Sequence, residues 1–212
     1  GSNCLAANTT GTSNVAIGHD VMEASNASNN TAVGFEACKA LSSGVKNTAL
    51  GYQALDANTT ADHNTAIGAQ ALTTNTTGEY CTAVGSAALN DNTTGLNNTA
   101  VGYKTLNANT TGGRNNAFGY KALEVNTQGQ YNVAIGNETL EDNTTGDYNV
   151  AIGHEALTSC TTSSYNVAVG YQACSTSTTG TEVTGVGYKA LVVNTGNNNT
   201  AIGCQAMLAN TT

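Results

Sequence analysis

Proline and tryptophan are absent from this chain, and charged side chains are only 9% of its 212 residues, against roughly 25% in typical globular proteins. Long amphipathic helices need more Leu, Glu and Lys than this composition offers, and its abundant Thr and Asn disfavour helix interiors. Basic residues are few: six Lys and Arg against fourteen Asp and Glu leave a net charge of −8. Binding to a phosphate backbone needs a basic stripe, so nucleic acid is not an expected partner. No run of 18 apolar residues occurs, so no membrane-spanning helix and no membrane insertion are expected. The six cysteines show no Cys-x-x-Cys spacing of the kind that holds a metal.

What the chain does contain is a repeat. A small hydrophobic triplet ending in Gly recurs at Gly1, Gly18, Gly34, Gly51, Gly68, Gly85, Gly102, Gly119, Gly136, Gly153, Gly170, Gly187 and Gly203. Ten of the twelve intervals are 17 residues and two are 16. Ordered hydrophobic spacing at low charge argues against disorder, and a period of this length is one turn of a stacked architecture. The expected fold is all-β: a parallel β-solenoid of about twelve 16–17-residue coils, one continuous array over residues 1–212. Stacked coils advance about 4.8 Å each, giving a rod of about 57 Å. The repeat starts in phase and stops mid-unit without distinct capping units, so the chain reads as a segment of a longer protein.

Numbering each unit from its Gly as zero sorts the residues into columns. All 20 charged residues fall at plus two, plus five, plus six, minus six or minus five, which marks those columns as wet. Plus four carries Leu55, Leu72, Leu89, Leu106, Leu123, Leu140 and Leu157, a core ladder. Minus one carries Ile67, Val84, Val101, Ile135 and Ile152, which reads as a second core ladder. Minus two is Ala in nearly every unit, as at Ala66, Ala83, Ala100, Ala134 and Ala151. Neighbours in a strand point to opposite faces, so this Ala column is expected to face outward and meet a partner chain. A coil with one Leu and one branched residue buries little by itself, which favours homo-oligomerisation through that face.

Two columns are rich in asparagine. Minus four holds Asn64, Asn98, Asn115, Asn132, Asn149 and Asn166, with Cys81 and Val183 as apolar exceptions. Such replacements point to an inward amide ladder. Plus seven, with Asn58, Asn75, Asn92 and Asn109, is open between an inward ladder and solvent-facing turns.

The unit Asn-Thr-Ala-Ile-Gly-x-x-Ala-Leu-x-x-Asn-Thr-Thr-Gly, seen at Asn64–Gly78, resembles the head repeat of trimeric autotransporter adhesins and the repeats of phage tail-fibre-like proteins. The likeness covers essentially the whole chain, although this unit is longer than the usual adhesin head repeat. It implies a left-handed parallel β-roll, three chains side by side, and an adhesive or fibrous role at a bacterial surface or on a virion.

Candidate sites are sparse. All nine tyrosines lie in two columns: Tyr52, Tyr103, Tyr120, Tyr171 and Tyr188 at plus one, and Tyr80, Tyr131, Tyr148 and Tyr165 at minus five. They suit carbohydrate or protein contact, or packing over the turns. Cys38 and Cys174 replace core Leu and read as buried thiols, while Cys204 stands in an exposed column and is the candidate for an interchain bond. His19, His63 and His154 never occupy neighbouring coils, so no metal site is expected. The acidic stretch 141–147 lacks the spacing of a calcium loop. No catalytic constellation recurs, and neither catalysis nor a cofactor is expected.

The leading reading is therefore a structural, extracellular fibre or filament segment, built as a homotrimer that can also join end to end. It would give reach, stiffness and multivalent display toward a cell-surface glycan or receptor. The alternative is a solenoid that binds ice through its Thr-Thr columns, such as Thr59-Thr60 and Thr76-Thr77, or carbohydrate through its Tyr columns.

Overall fold

A computed structural model describes residues 1–210 and shows an all-β chain without helix, wound into a parallel β-solenoid of about twelve coils. Twelve three-residue strands, from Val15–Ile17 to Thr200–Ile202, pair in parallel to form a single sheet. Coil follows coil in chain order, and each strand aligns column on column: Thr65 on Thr82, Ala66 on Ala83, Ile67 on Val84. Near the C-terminal end, Val193–Asn194 pairs with Ala209–Asn210 as a second, two-stranded sheet.

The stacking extends well beyond the strands. On the turn, Leu55 N–H donates to Ala71 O at 3.0 Å, Ala57 N–H to Thr73 O at 2.9 Å, and Thr76 N–H to Thr93 O at 3.0 Å. On the strand side, Gly68 N–H reaches back to Leu50 O at 2.8 Å. Backbone groups around much of the circumference thus find partners in the coil above or below, which lets a structure with three-residue strands satisfy its peptide groups.

The corners are made by left-handed backbone. Within one unit Gln53, Leu55 and His63 have φ of 52°, 54° and 59°, and the same three columns are left-handed in other coils. Each such residue costs about 1–2 kcal/mol, so the coil bends against local preference and relies on inter-coil bonding to hold it. The repeating Gly is more constrained still. Gly102 has φ 137°, and a Cβ there would sit 2.2 Å from Gly119 O and 2.7 Å from Thr105 Oγ1. Only a residue without a side chain lets successive coils approach this closely.

The lumen holds the Leu column: Leu55, Leu72, Leu89, Leu106, Leu123, Leu140 and Leu157 are all fully buried. Facing them from the sheet is the Ala column, and here the structure reverses the expectation. Ala66, Ala83, Ala100, Ala134 and Ala151 are at 0% exposure and point into the coil, so they form no outward inter-chain face. Ile67, Ile135 and Ile152 are instead 36%, 41% and 37% exposed, and Val84 and Val101 are half-buried, so the minus-one column is not a core ladder. The physical reason is the narrowness of the coil. Leu from the turn, small residues at plus three and two amide columns fill the lumen, leaving room on the sheet side for one methyl.

Both Asn columns are buried. In the minus-four column Asn64 Oδ1 accepts from Cys81 N–H at 2.9 Å, while Asn64 Nδ2 donates to Gly78 O at 2.8 Å. Asn98, Asn115, Asn132 and Asn149 use their Nδ2 groups in the same way, on Gly112, Gly129, Gly146 and Ser163 carbonyls. The plus-seven amides bond directly to one another: Asn92 to Asn75, Asn109 to Asn92, Asn126 to Asn109 and Asn143 to Asn126, at 2.7–2.9 Å. Asn166 Oδ1 still accepts from Val183 N–H. Its Nδ2, however, is buried without a hydrogen-bond partner, as is Ser177 Oγ of the same unit, where Cys160, Ser177 and Val183 interrupt both amide columns.

Two substitutions test this architecture. Gly102→Ala is expected to destabilise the chain by at least about 3 kcal/mol, read as a fall in melting temperature. Ser177→Asn restores the plus-seven ladder beside Asn194 and is expected to stabilise by about 1–2 kcal/mol, read in the same melt.

Candidate functional site

With the lumen filled by side chains, the chemistry available to a partner lies in columns on the outside. Four arrays stand out, each repeating along the stack: the outer face of the sheet, the aromatic columns, the threonine columns and the charged columns.

The outer face of the sheet presents the minus-three and minus-one side chains. Strand alternation sends the central Ala inward, so both flanking residues point out. The minus-one side holds Ile17, Leu50, Ile67, Phe118, Ile135, Ile152 and Ile202, all exposed, with the half-buried valines between them. The minus-three side is Thr or Val in all but one described strand, the exception being Asn116. No charged residue stands in either column. The minus-one column is thus a continuous apolar stripe along the sheet, flanked by a column of mostly Thr and Val.

The tyrosines stack on the rings of adjoining coils, seven of them on another tyrosine, Tyr52 on Phe35 and Tyr80 on His63. Tyr131, Tyr148 and Tyr165 form a run with centroids 4.7 and 5.2 Å apart and planes within 6°. Tyr103 stacks on Tyr120 at 5.7 Å, and Tyr188 on Tyr171 at 5.6 Å, with His154 on the far side of Tyr171. Tyr52 continues a run through Phe35 to His19. Such stacks turn ring faces toward each other and ring edges toward water. A sugar that packs on an aromatic face would therefore find open faces mainly where a run stops. Lys104, Lys121 and Lys189 lie over plus-one rings at 5.5–6.0 Å, and Arg114 over Tyr131 at 5.1 Å, adding cation–π contact.

The Thr-Thr columns divide their roles. At plus eight, Thr76, Thr93, Thr110 and Thr127 each donate the side-chain hydroxyl to the next coil's carbonyl at 2.9–3.1 Å. That hydroxyl proton is used within the stack, and at these four levels the plus-nine side chain is the more exposed.

Among the charged columns, lysines bridge acids on adjoining coils. Lys39 Nζ lies 2.6 Å from Glu36 and 3.8 Å from Asp20; Lys121 Nζ lies 2.9 Å from Glu124 and 3.2 Å from Glu141. The Lys39 hydrogen bond, helped by Gln53, holds the Glu36 carboxyl below its ordinary range. Hydrogen bonds to Glu124 and Glu141 push the Lys121 ammonium up. One group has no such lysine: Glu138, His154 and Glu155 offer ligand atoms that all lie within 4.8 Å of one another. Looking for paired histidines misses this set, because its nitrogen comes from one coil and its carboxylates from two. The detectable signal is Glu at plus two in successive units with His preceding the second.

The cysteines are free. Cys38 and Cys174 are buried, and desolvation pushes their thiols up to about 12; burial likewise raises Cys81 and Cys160 to about 11. Cys204 is exposed.

No protein-family model and no curated protein sequence matches the chain.

A raised pKa leaves a thiol protonated, and so unreactive, until the pH approaches the shifted value. At about pH 8, a thiol reagent is expected to label Cys204 rapidly in the folded chain. Cys38, Cys81, Cys160 and Cys174 should react only after unfolding, as read by mass spectrometry of the labelled peptides.

Proposed function

We propose that the chain is a structural segment of an extracellular fibre or filament on a bacterial surface or a virion. It acts by reach, stiffness and repeated display rather than by catalysis. The observation that carries this reading is the apolar stripe along the outer face of an uninterrupted stack. Contiguous exposed apolar surface marks an association site, and a stripe repeated at every level best fits another surface with the same axial spacing. Another copy of this chain has that spacing by construction.

The assembly proposed is a side-by-side homotrimer, with the Ile and Val columns rather than the Ala column turned toward the shared axis. Burying these side chains adds the apolar contact that the narrow lumen does not supply. The aromatic and charged columns then stay on the perimeter, where each protomer presents them at every level to a surface glycan or receptor. Threefold repetition strengthens weak contacts by avidity. The backbone edges at the two ends of a stack are templates for end-to-end growth of the same kind.

Sedimentation equilibrium with negative-stain imaging tests the reading. A species of three times the chain mass, forming straight rods, is the expected result. Ile67→Lys combined with Ile135→Lys should give a folded monomer, since neither side chain enters the lumen and circular dichroism should keep its β signature. Compact monomeric particles of the unaltered chain would overturn the proposal.

A further inference from the structure

The geometry points to a divalent transition-metal site formed by Glu138, His154 and Glu155. Glu138 stands at plus two in one coil; His154 and Glu155 stand at plus one and plus two in the next. Stacking brings one carboxylate from each coil and one imidazole nitrogen within 4.8 Å of one another. His154 Nδ1 lies 3.6 Å from Glu155 Oε1. One nitrogen and two carboxylate oxygens form a donor set suited to borderline cations such as Zn²⁺, with the remaining position left to water. In a tetrahedral zinc site neighbouring ligand atoms are roughly 3.3 Å apart. Small side-chain rotations at these half-buried and exposed positions would close the set around an ion.

Two features separate this place from other acidic positions on the rod. The first is charge balance. Asp20 and Glu36 also stack at plus two in successive coils, but Lys39 lies between them. Lys121, the cation one coil before Glu138, is engaged by Glu124 and Glu141. Among the described residues, no Lys or Arg comes within ion-pair distance of Glu138 or Glu155, so these two stacked carboxylates have no direct ion pair to a lysine or arginine. A bound cation would supply what a lysine supplies elsewhere. The second is orientation by residues outside the donor set. Gln172, from the following coil, donates through Nε2 to Glu155 Oε2, leaving Oε1 toward His154. Tyr171 stacks against the His154 ring at 5.6 Å. Outer contacts that orient ligands in this way raise metal affinity.

An ion held here would clamp two consecutive coils on the perimeter, outside the apolar stripe, so the site does not depend on trimer formation. The test is calorimetric titration of the reduced full chain with ZnCl₂, each variant being checked for an unchanged β signature. The expected result is saturable binding of one Zn²⁺ per chain. His154→Ala and Glu138→Gln should each weaken affinity at least about tenfold, while His19→Ala, at the position where Lys39 supplies the counter-charge, should leave it unchanged. Absence of saturable binding, equal affinity in His154→Ala, or loss of binding with Cys204→Ser instead would overturn the site.

Discussion

Each coil of this protein is held by peptide hydrogen bonds to the coils above and below, and that bonding requires successive coils to superimpose. Where Gly102 passes Gly119 the backbones are so close that a single methyl cannot fit between them. Superposition then governs the rest. Like residues stand over like, amides meet amides, rings meet rings, and any charge repeated in successive units must face its own kind unless a neighbouring column supplies the opposite sign. The left-handed corners, unfavourable residue by residue, persist because each is repeated in register and its N–H is bonded to a carbonyl of an adjoining coil, as Leu55 is to Ala71, Gln53 to Phe35 and His63 to Val45.

The same constraint explains why polar side chains can occupy the interior. A lone buried amide is costly, but a column of amides supplies each member with a donor below and an acceptor above. Asn75, Asn92, Asn109, Asn126 and Asn143 form such a chain at 0% exposure. The value of each Asn depends on its neighbours, and the coil around Asn166 and Ser177 shows the consequence: where the columns are interrupted, polar atoms are left buried and unpaired. A repeat protein of this kind concentrates its weak points at departures from consensus.

Much of the fold is legible in the sequence. Recurrence of Gly marked the coil boundary, the charged columns marked the wet side, and Leu55 and its counterparts marked the interior. The strand departs from the pattern for a specific reason. Large apolar side chains ordinarily go in and small ones out, so the pattern predicts Ile67 in the core and Ala66 toward a partner. In a lumen already occupied by Leu and two amide columns, size selects the other way. The candidate metal set was obscured differently: its column positions are visible in sequence, but that Lys121 is drawn toward Glu124 and Glu141 rather than Glu138 is a matter of side-chain geometry.

By itself the sequence determined the period, the column in which each residue stands, and hence which residues must lie above one another, because those follow from counting along a regular stack. Which side of the three-residue strand faces inward was decided only by the tertiary structure, since it depends on how much room the opposite wall leaves. The tertiary structure alone also shows that the tyrosines spend their faces on neighbouring rings, and that two glutamates and one histidine converge with no lysine among the described residues ion-paired to them. Such outcomes rest on distances across and between coils, which no count along the chain contains.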